Sequence, residues 1–366
     1  MVDKLERQKN DDMKSIDKSK PVLVTGANGF VASWVVKNLL DNGVHVHAAV
    51  RSPDNKNKVG HLEELAQNSP GQISFFATDL LSEGSYAEAM KGCEVVFHTA
   101  SPFTIDVKDA QKQLIDPAVN GTANVLNSAN KTPSVKRIVL TSSCAAIYTD
   151  AIDCAKAPKG ILTEDVWNTT SSLNYQPYSY SKTLAEKKAW EMKEQQQQWD
   201  LVVMNPSFVM GPNLNPKYST SESTNVLKML GNGEMKMGAP KMGVGVIDVR
   251  DLAEAHVKGA FTPSAQGRHI ISAHNTDYLE MGKSLLPKFG DNYPLPKKAL
   301  PKWLLMAVGP MVNKLFTRSF IKNNVNVEWK ADNSKSINEL GMSYRSLQET
   351  MEDGFQNLID AGVIKS

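Results

Sequence analysis

The first half of the chain alternates short apolar runs with longer amphipathic stretches. The short runs are rich in β-branched and aromatic residues, which favour strands, and the intervening stretches have the length of helices. This alternation is typical of repeated βαβ units, in which helices cover both faces of a parallel sheet. The predicted strands are Val22–Thr25, Val44–Val50, Ile73–Ala77, Val95–Thr99, Arg137–Ser142 and Leu201–Asn205.

The regular alternation ends after Pro206, and only Arg268–Ser272 again has the composition of a strand of the main sheet. We therefore predict an α/β fold with a Rossmann-type doubly wound parallel sheet over residues 21–206, which residues 246–272 rejoin. Residues 207–245 and 273–366 should form a smaller C-terminal substrate-binding lobe. Residues 1–20 mix both charge signs without an apolar core and predict a disordered tail.

Composition narrows the classes of partner. The chain has 41 basic and 39 acidic residues, and this near-neutral balance argues against nucleic acid. The longest apolar run, Trp303–Val312, is much shorter than the ~20 residues of a membrane span, so it predicts a buried or interfacial helix and no membrane partner. Three cysteines at irregular spacing indicate a reducing, cytoplasmic setting without a metal site.

A glycine-rich loop directly follows the first predicted strand and opens an apolar helix. Gly26 permits a tight turn, Gly29 lets the backbone approach a pyrophosphate, and Ala32 is small enough for close helix packing. An ordinary glycine turn is the alternative, but this position favours a dinucleotide site. Its candidate residues are Thr25, Gly26, Asn28, Gly29, Phe30 and Val31.

The end of the second strand predicts which dinucleotide is bound. Arg51 stands there, with Lys58 nearby, whereas an enzyme that uses NAD commonly has an acidic residue at this place. Arginine pairs bidentately with a phosphate, so we expect NADPH, although Arg51 could also be a solvated strand end. Asp79, after the third strand, could accept a hydrogen bond from adenine or cap the next helix.

Candidate catalytic groups follow in order along the chain. Tyr178 and Lys182 stand four residues apart on a predicted helix, so they share a face, and the cation should lower the pKa of the phenol. Ser143 follows a strand, at the sheet edge where α/β proteins bind ligands. Each feature alone is common on protein surfaces, but a glycine loop, a strand-end hydroxyl and a Tyr–Lys pair in this order predict one catalytic site.

With these motifs, residues 21–362 resemble the extended short-chain dehydrogenase/reductases. The branch is that of dihydroflavonol reductases, cinnamoyl-CoA reductases and yeast-type aldehyde and methylglyoxal reductases. Further matching segments are His98-Thr99-Ala100-Ser101-Pro102, Leu140-Thr141-Ser142-Ser143, Ser181-Lys182-Thr183-Leu184-Ala185-Glu186, Asn205-Pro206-Ser207 and Ile247-Asp248-Val249-Arg250-Asp251.

The resemblance implies specific roles. Ser143 would be the catalytic serine, Tyr178 the proton donor, and Lys182 the residue that holds the nicotinamide ribose. Arg51 and Lys58 would bind the 2'-phosphate. The remaining cofactor contacts would be Asp79 and Leu80 at the adenine, Thr99, Ala100, Ser101, Pro206, Ser207, Phe208 and Val209 at the nicotinamide, and Ser221.

At two positions the sequence differs from the motifs of this branch in a way that affects the expected substrate. Dihydroflavonol reductases have an asparagine five residues after the serine, where this chain has Tyr148. Cinnamoyl-CoA reductases have Asn-Trp-Tyr-Cys-Tyr-Gly-Lys, where this chain has Gln176-Pro177-Tyr178-Ser179-Tyr180-Ser181-Lys182. The expected activity is therefore NADPH-dependent reduction of an aldehyde or ketone with an apolar or aromatic body.

Other readings remain open at this point. They are a dihydroflavonol- or cinnamoyl-CoA-type reductase, a nucleotide-sugar epimerase or dehydratase with the same triad, and a non-catalytic NADPH-sensing regulator. A separate hypothesis places flexible methionines along an adaptable substrate pocket, with ordinary core filling as the alternative. Those methionines are Met210, Met229, Met235, Met237 and Met242.

We predict a preference for NADPH over NADH that depends on Arg51. The Arg51→Asp variant should prefer NADH, because a carboxylate repels the 2'-phosphate and accepts from a free ribose hydroxyl. The measurement is kcat/KM with each cofactor for both proteins. Equal efficiency with the two cofactors in the wild type would contradict the prediction.

Overall fold

The computed structural model describes residues 16–101, 108–312 and 316–365, except for the side chain of Val312. Pro102 and residues 1–15 of the predicted tail lie outside the described residues. The part of that tail that is described contacts the body of the protein, since the Asp17 amide donates to the Glu94 carboxylate at 2.8 Å. No described helix combines the length and apolarity needed to cross a membrane.

Ten strands are found among the described residues, and each strand predicted for the main sheet is present within one residue of its expected bounds. They are β1 Val22–Thr25, β2 His45–Val50, β3 Gln72–Ala77, β4 Val95–His98, β5 Arg137–Thr141, β6 Asp200–Pro206, β7 Phe208–Met210, β8 Gly243–Asp248, β9 Gly267–Ile271 and β10 His274–Asp277. Seven of them form one parallel sheet in the order β3-β2-β1-β4-β5-β6-β9. The predicted α/β class with a Rossmann-type sheet is therefore confirmed.

Helices connect the strands and cover both faces of this sheet. In chain order they are α1 Phe30–Asp41, α2 Lys56–Gln67, α3 Ala87–Met90, α4 Asp116–Asn130, α5 Pro177–Glu194, α6 Glu222–Gly231, α7 Val249–Phe261, α8 Tyr278–Lys283, α9 Leu286–Phe289, α10 Lys302–Val312, α11 Arg318–Asn324, α12 Ser334–Leu340 and α13 Leu347–Asp360. Helices α1 and α7 pack together on one face, and α4 and α5 pack together on the other.

The two faces have separate apolar cores. Leu39 of α1 and Leu252 of α7 are fully buried in the first core, and Leu126 of α4 and Ala189 of α5 are fully buried in the second. Because β1, β4, β5 and β6 are buried on both faces, they consist mainly of apolar residues, whereas the edge strand β3 is only partly buried. This burial is the physical reason that the strands could be predicted from sequence.

A smaller three-stranded sheet, in the order β10-β8-β7, belongs to the C-terminal part of the chain. Its core contains the fully buried Met210 and Phe355 together with Leu227. Ile247, predicted to return to the main core, lies in β8 of this small sheet, although its side chain packs in the first core of the main sheet. The return of the chain to the main sheet is completed by α7 and β9.

Candidate active site

The candidate residues converge at the carboxyl edge of the main sheet. Strands β1, β4, β5 and β6 lie side by side and end at Thr25, His98, Thr141 and Pro206. Chain segments that leave parallel strands at this edge surround one crevice, which is the usual ligand position in α/β folds.

The glycine loop between β1 and α1 is shaped to admit a phosphate. Gly26 has φ +62°, and a Cβ atom on it would lie 3.2 Å from Ala100, so a side chain is excluded both by backbone strain and by space. Gly29 caps α1 without a side-chain hydrogen bond, and the first turn of the helix contains no acidic residue. The first amides of this 12-residue helix are therefore not masked by a side chain and favour an anion.

Thr25 joins this loop to the segment after β4. Its hydroxyl oxygen accepts hydrogen bonds from the amides of Thr99 and Ala100 at 3.1 and 3.0 Å. The Thr99 hydroxyl donates in return to the Thr25 carbonyl. These bonds hold the backbone of Thr99 to Ser101 beside the glycine loop, where the sequence predicts cofactor contacts.

The residues predicted to contact the adenosine end lie near the ends of β2 and β3. Arg51 directly follows β2, and Lys58 lies in the first turn of α2; both are exposed. Asp79 is exposed and accepts from the Leu81 amide at 2.8 Å, whereas Leu80 is only 6% exposed and packs against Gly121. Positive charge is thus available at the position expected for a 2'-phosphate.

Ser143 and Tyr178 meet across the crevice. Ser143 caps the short 3₁₀ turn Cys144–Ala146, and its oxygen accepts from the Ala145 amide at 3.1 Å, which leaves the hydroxyl proton free to donate. Its side chain forms a hydrogen bond with the Tyr178 phenol that favours the ionised form. Although 37% of Tyr178 is exposed, the walls of the crevice remove enough water to raise the pKa of its phenol above the usual value of 10.

Lys182 lies one turn after Tyr178 in α5, as predicted, but it does not act on the phenol as expected. Its ammonium is 5.9 Å from the centre of the tyrosine ring and donates to the Ser101 hydroxyl at 2.9 Å. Burial lowers the pKa of Lys182 to about 8, against a smaller opposing effect of the Glu186 charge. The predicted lowering of the pKa of Tyr178 by this cation is wrong for this arrangement, because desolvation raises that pKa and the opposing effect comes from the Ser143 hydrogen bond.

Tyr175 and Tyr178 have different environments, although they are close in sequence. Tyr175 donates to the Asp150 carboxylate at 2.6 Å, and burial together with this carboxylate raises the pKa of Tyr175 to about 12. Gln176 adopts a left-handed conformation with φ 54°, which costs about 1–2 kcal/mol for a residue with a side chain, and the helix then begins at Pro177. This turn separates Tyr175 from the helix and places Tyr178 in the first turn.

Glu186 is a functional candidate that the catalytic assignment missed. Its carboxylate is completely buried and accepts from Arg268 of β9 at 2.6 Å, from Asn205 of β6 at 2.8 Å and from the Ser142 hydroxyl. The signal available in the sequence was a carboxylate one turn after Lys182, which places it on the same helix face. Through these bonds Glu186 attaches α5 to the neighbouring strands β5, β6 and β9.

The predicted contacts near the nicotinamide lie where β6 runs into β7. The hydroxyl oxygen of Ser207 is buried without a partner among the described atoms, and the Ser207 amide donates to Ile271 at 3.1 Å. Pro206 ends β6, and Phe208 and Val209 begin β7. Ser221 caps α6 by accepting from the Thr224 amide at 3.3 Å, so its oxygen already has a local structural role.

Aromatic side chains lie beyond Ser143. Tyr148 packs against Trp329 with ring centres 5.7 Å apart, and burial raises the pKa of Tyr148 well above its usual value. Phe208 and Tyr278 stack at 6.1 Å. The methionines proposed to line a pocket do not share one place, because Met210 is fully buried in the lobe core and Met237 is 69% exposed.

Comparisons with known proteins identify the family and relatives of this chain. The model of the NAD dependent epimerase/dehydratase family matches residues 22–271. Cinnamoyl-CoA reductase CAD2 of Medicago truncatula is 39% identical over 78% of this chain and 86% of its own length. Tetraketide alpha-pyrone reductase 1 of Arabidopsis thaliana is 36% identical over 94% and 97%, respectively. The solved structure of yeast methylglyoxal/isovaleraldehyde reductase Gre2, complexed with NADPH, has a TM-score of 0.77 and 28% identity over 93% of this chain and 99% of its own.

The catalytic assignment can be tested on the tyrosines themselves. We expect Tyr178→Phe to reduce turnover by about two or more orders of magnitude, the scale for losing a positioned general acid, while NADPH binding survives. Tyr180→Phe is the matched control and should be mild, because two residues along a helix rotate a side chain about 200° away. Steady-state kinetics and fluorescence titration of NADPH measure both effects. Near wild-type turnover in Tyr178→Phe would overturn the assignment.

The lowered pKa of Lys182 predicts how cofactor binding depends on pH. Below pH about 8 the buried amine carries a charge, and above it the folded protein loses this proton, well before the ordinary value of 10.5. The dissociation constant for NADPH should therefore rise as pH passes 8, because the crevice loses one positive charge. Fluorescence titrations between pH 7 and pH 10 measure it.

The matched control for the pH series is Lys182→Met, which cannot titrate at this position. Its dissociation constant should be higher throughout and should lack the rise near pH 8. A rise of the same size in both proteins would assign the titration to another group. Circular dichroism at each pH checks that both proteins remain folded.

Proposed function

Because the chain belongs to the NAD dependent epimerase/dehydratase family, we propose that it reduces an aldehyde or ketone to an alcohol with NADPH. The membership confirms the resemblance to the extended short-chain dehydrogenase/reductases. The observation that carries the proposal is the hydrogen-bonded contact between Ser143 and Tyr178 at the edge of the parallel sheet, one helical turn from Lys182. The relatives named cinnamoyl-CoA reductase and tetraketide alpha-pyrone reductase support reduction over epimerisation.

The residues of the crevice fit NADPH. The amides at the start of α1 and the space beside Gly26 suit its pyrophosphate, and Arg51 and Lys58 suit its 2'-phosphate. The unpartnered hydroxyl of Ser207 offers a hydrogen bond at the opposite end of the crevice. When bound, this cofactor supplies a hydride to the carbonyl carbon.

The protein's own groups complete the reaction. Ser143 donates a hydrogen bond to the carbonyl oxygen and so stabilises the negative charge that develops on it. Tyr178 gives its phenolic proton to the same oxygen as a general acid. The raised pKa of this phenol keeps it protonated at neutral pH, which is the state that reduction requires. Lys182 binds the cofactor, and its ammonium donates a hydrogen bond to Ser101 on one wall of the crevice.

The substrate class follows from the walls beyond the two hydroxyls. Tyr148, Phe208 and Tyr278 are half-buried aromatic side chains near Ser143 and near the start of β7, and Tyr148 packs against the buried Trp329. Aromatic walls stabilise apolar or aromatic bodies by burying area and by stacking. We therefore propose a carbonyl compound with a bulky apolar or aromatic group as the substrate.

Consumption of NADPH with a panel of carbonyl compounds tests this function. The panel contains aliphatic aldehydes, aryl aldehydes, diketones, β-keto esters and dihydroflavonols, with Tyr178→Phe as the inactive control. We expect the bulky and aromatic members to have the highest kcat/KM, because they bury the most apolar area. NADPH binding without turnover of any member, or interconversion of a nucleotide sugar with a retained cofactor, would refute the proposal.

A further inference from the structure

Helix α10 presents apolar side chains to solvent. Trp303 is 72% exposed, Met311 is 84% exposed and Val308 is 41% exposed. Ala307 and Pro310 complete this surface, and at 100° per residue all five fall within one half of the helix circumference. A helix on the surface of a soluble protein ordinarily carries polar residues there, so α10 has the reverse polarity.

The orientation of α10 is fixed by contacts on its opposite side. Gly309 is buried, and a Cβ atom on it would lie 3.0 Å from Ile321 of α11. Lys302 reaches across and donates to the carbonyls of Lys322 and Val325 at 3.0 and 2.7 Å, near the end of α11. The apolar side is therefore held outward by the packing of the rest of the lobe.

A second exposed methionine lies in the segment that pairs with the residues just before α10. Met237, which is 69% exposed, precedes Gly238, whose Cα approaches the Lys298 carbonyl so closely that a Cβ would lie 2.7 Å from it. Ala239 then bridges to Ala299, just before α10 begins. We call the surface formed by α10 and Met237 the apolar face.

The chain around the apolar face is strongly basic. Between Asp291 and Glu328 the sequence has six lysines and arginines and no acidic residue, whereas the whole chain has a net charge of only +2. Lys297, Lys298, Arg318 and Lys322 are exposed. This segment therefore combines outward apolar groups with positive charge on both sides of them.

We propose that the apolar face docks on an anionic lipid surface, with α10 lying in the plane of the interface. Tryptophan at the headgroup level, buried apolar side chains and flanking lysines are the combination that binds such surfaces. The lysines around the apolar face disfavour a protein partner, because lysine is depleted in protein interfaces. Eleven residues extend only about 16 Å, so α10 can lie on a bilayer but cannot span its ~30 Å core.

This proposal revises the expectation of no membrane partner, which was based only on the absence of a segment long enough to span. The segment Trp303–Val312 was predicted to be buried or interfacial, and the exposure of Trp303, Val308 and Met311 shows that one side of it is not buried. Peripheral docking requires neither a longer helix nor a lipid anchor. The burial of apolar side chains in the bilayer interface and the attraction of lysines to anionic lipids both contribute to binding.

Vesicle flotation of the full chain tests the docking. We expect the wild type to float with vesicles of phosphatidylcholine and phosphatidylserine, but not with phosphatidylcholine alone, and to be released at about 0.5 M salt, where charges are screened. Trp303→Ser with Met311→Ser, and separately Lys297→Gln with Lys298→Gln, should lower the partition coefficient at least about tenfold.

Matched controls remove the same kinds of group elsewhere. Leu81 is 57% exposed, and the side chains of Lys91 and Lys131 are 71% and 74% exposed, so Leu81→Ser and Lys91→Gln with Lys131→Gln should float like the wild type. Retained NADPH binding shows that each variant is folded. Failure of the wild type to float, or equal flotation of all variants, would overturn the proposal. So would a dimer in light scattering that Trp303→Ser with Met311→Ser abolishes, because a second copy would then cover the apolar face.

Discussion

The geometry of the candidate active-site crevice depends on one buried carboxylate. Glu186 accepts hydrogen bonds from Ser142, Asn205 and Arg268, which belong to or directly follow β5, β6 and β9. A buried charge in this position would be very unfavourable without such partners. Removing one partner of a buried ion pair typically lowers the free energy of unfolding by about 3–5 kcal/mol. Since Glu186 is in α5, the bonds that stabilise it also fix the helix that carries Tyr178 and Lys182 against the strand that leads to Ser143.

This attachment explains how groups from distant parts of the sequence form one site. Ser143 is positioned by the end of β5, the phenol by the first turn of α5, and the Lys182 ammonium by the segment after β4 through Ser101. The carboxylate joins the sheet to the helix, and Thr25 joins β1 to the segment after β4, so the crevice has fixed walls.

The features that the sequence could predict are those set by neighbours in the chain or by full burial. The strands were predictable because both faces of the sheet are covered, and the Tyr178–Lys182 pairing follows from helical spacing alone. The features that were missed depend on pairs far apart in sequence. Glu186 meets Arg268 across 82 residues, and Tyr175 meets Asp150 across 25. The direction of the pKa shift of Tyr178 depends on how much water the folded crevice excludes. The exposure of α10 depends on which side of this helix is covered by the rest of the lobe.

The carboxylate of Asp150 joins the two parts of the chain that enclose the crevice. It accepts from Tyr175, just before α5, and from Asn323 and Asn324 of α11, while the Asn324 side chain accepts in turn from the Ala151 amide. Lobes of such enzymes diverge far more readily than their sheets, because loops tolerate insertion. Here any exchange of the lobe, in evolution or in the laboratory, must preserve an amide donor opposite Asp150. A chimera that keeps Ser143, Tyr178 and Lys182 but loses that donor leaves a carboxylate oxygen of the buried Asp150 unsatisfied, next to Tyr175 and just before α5.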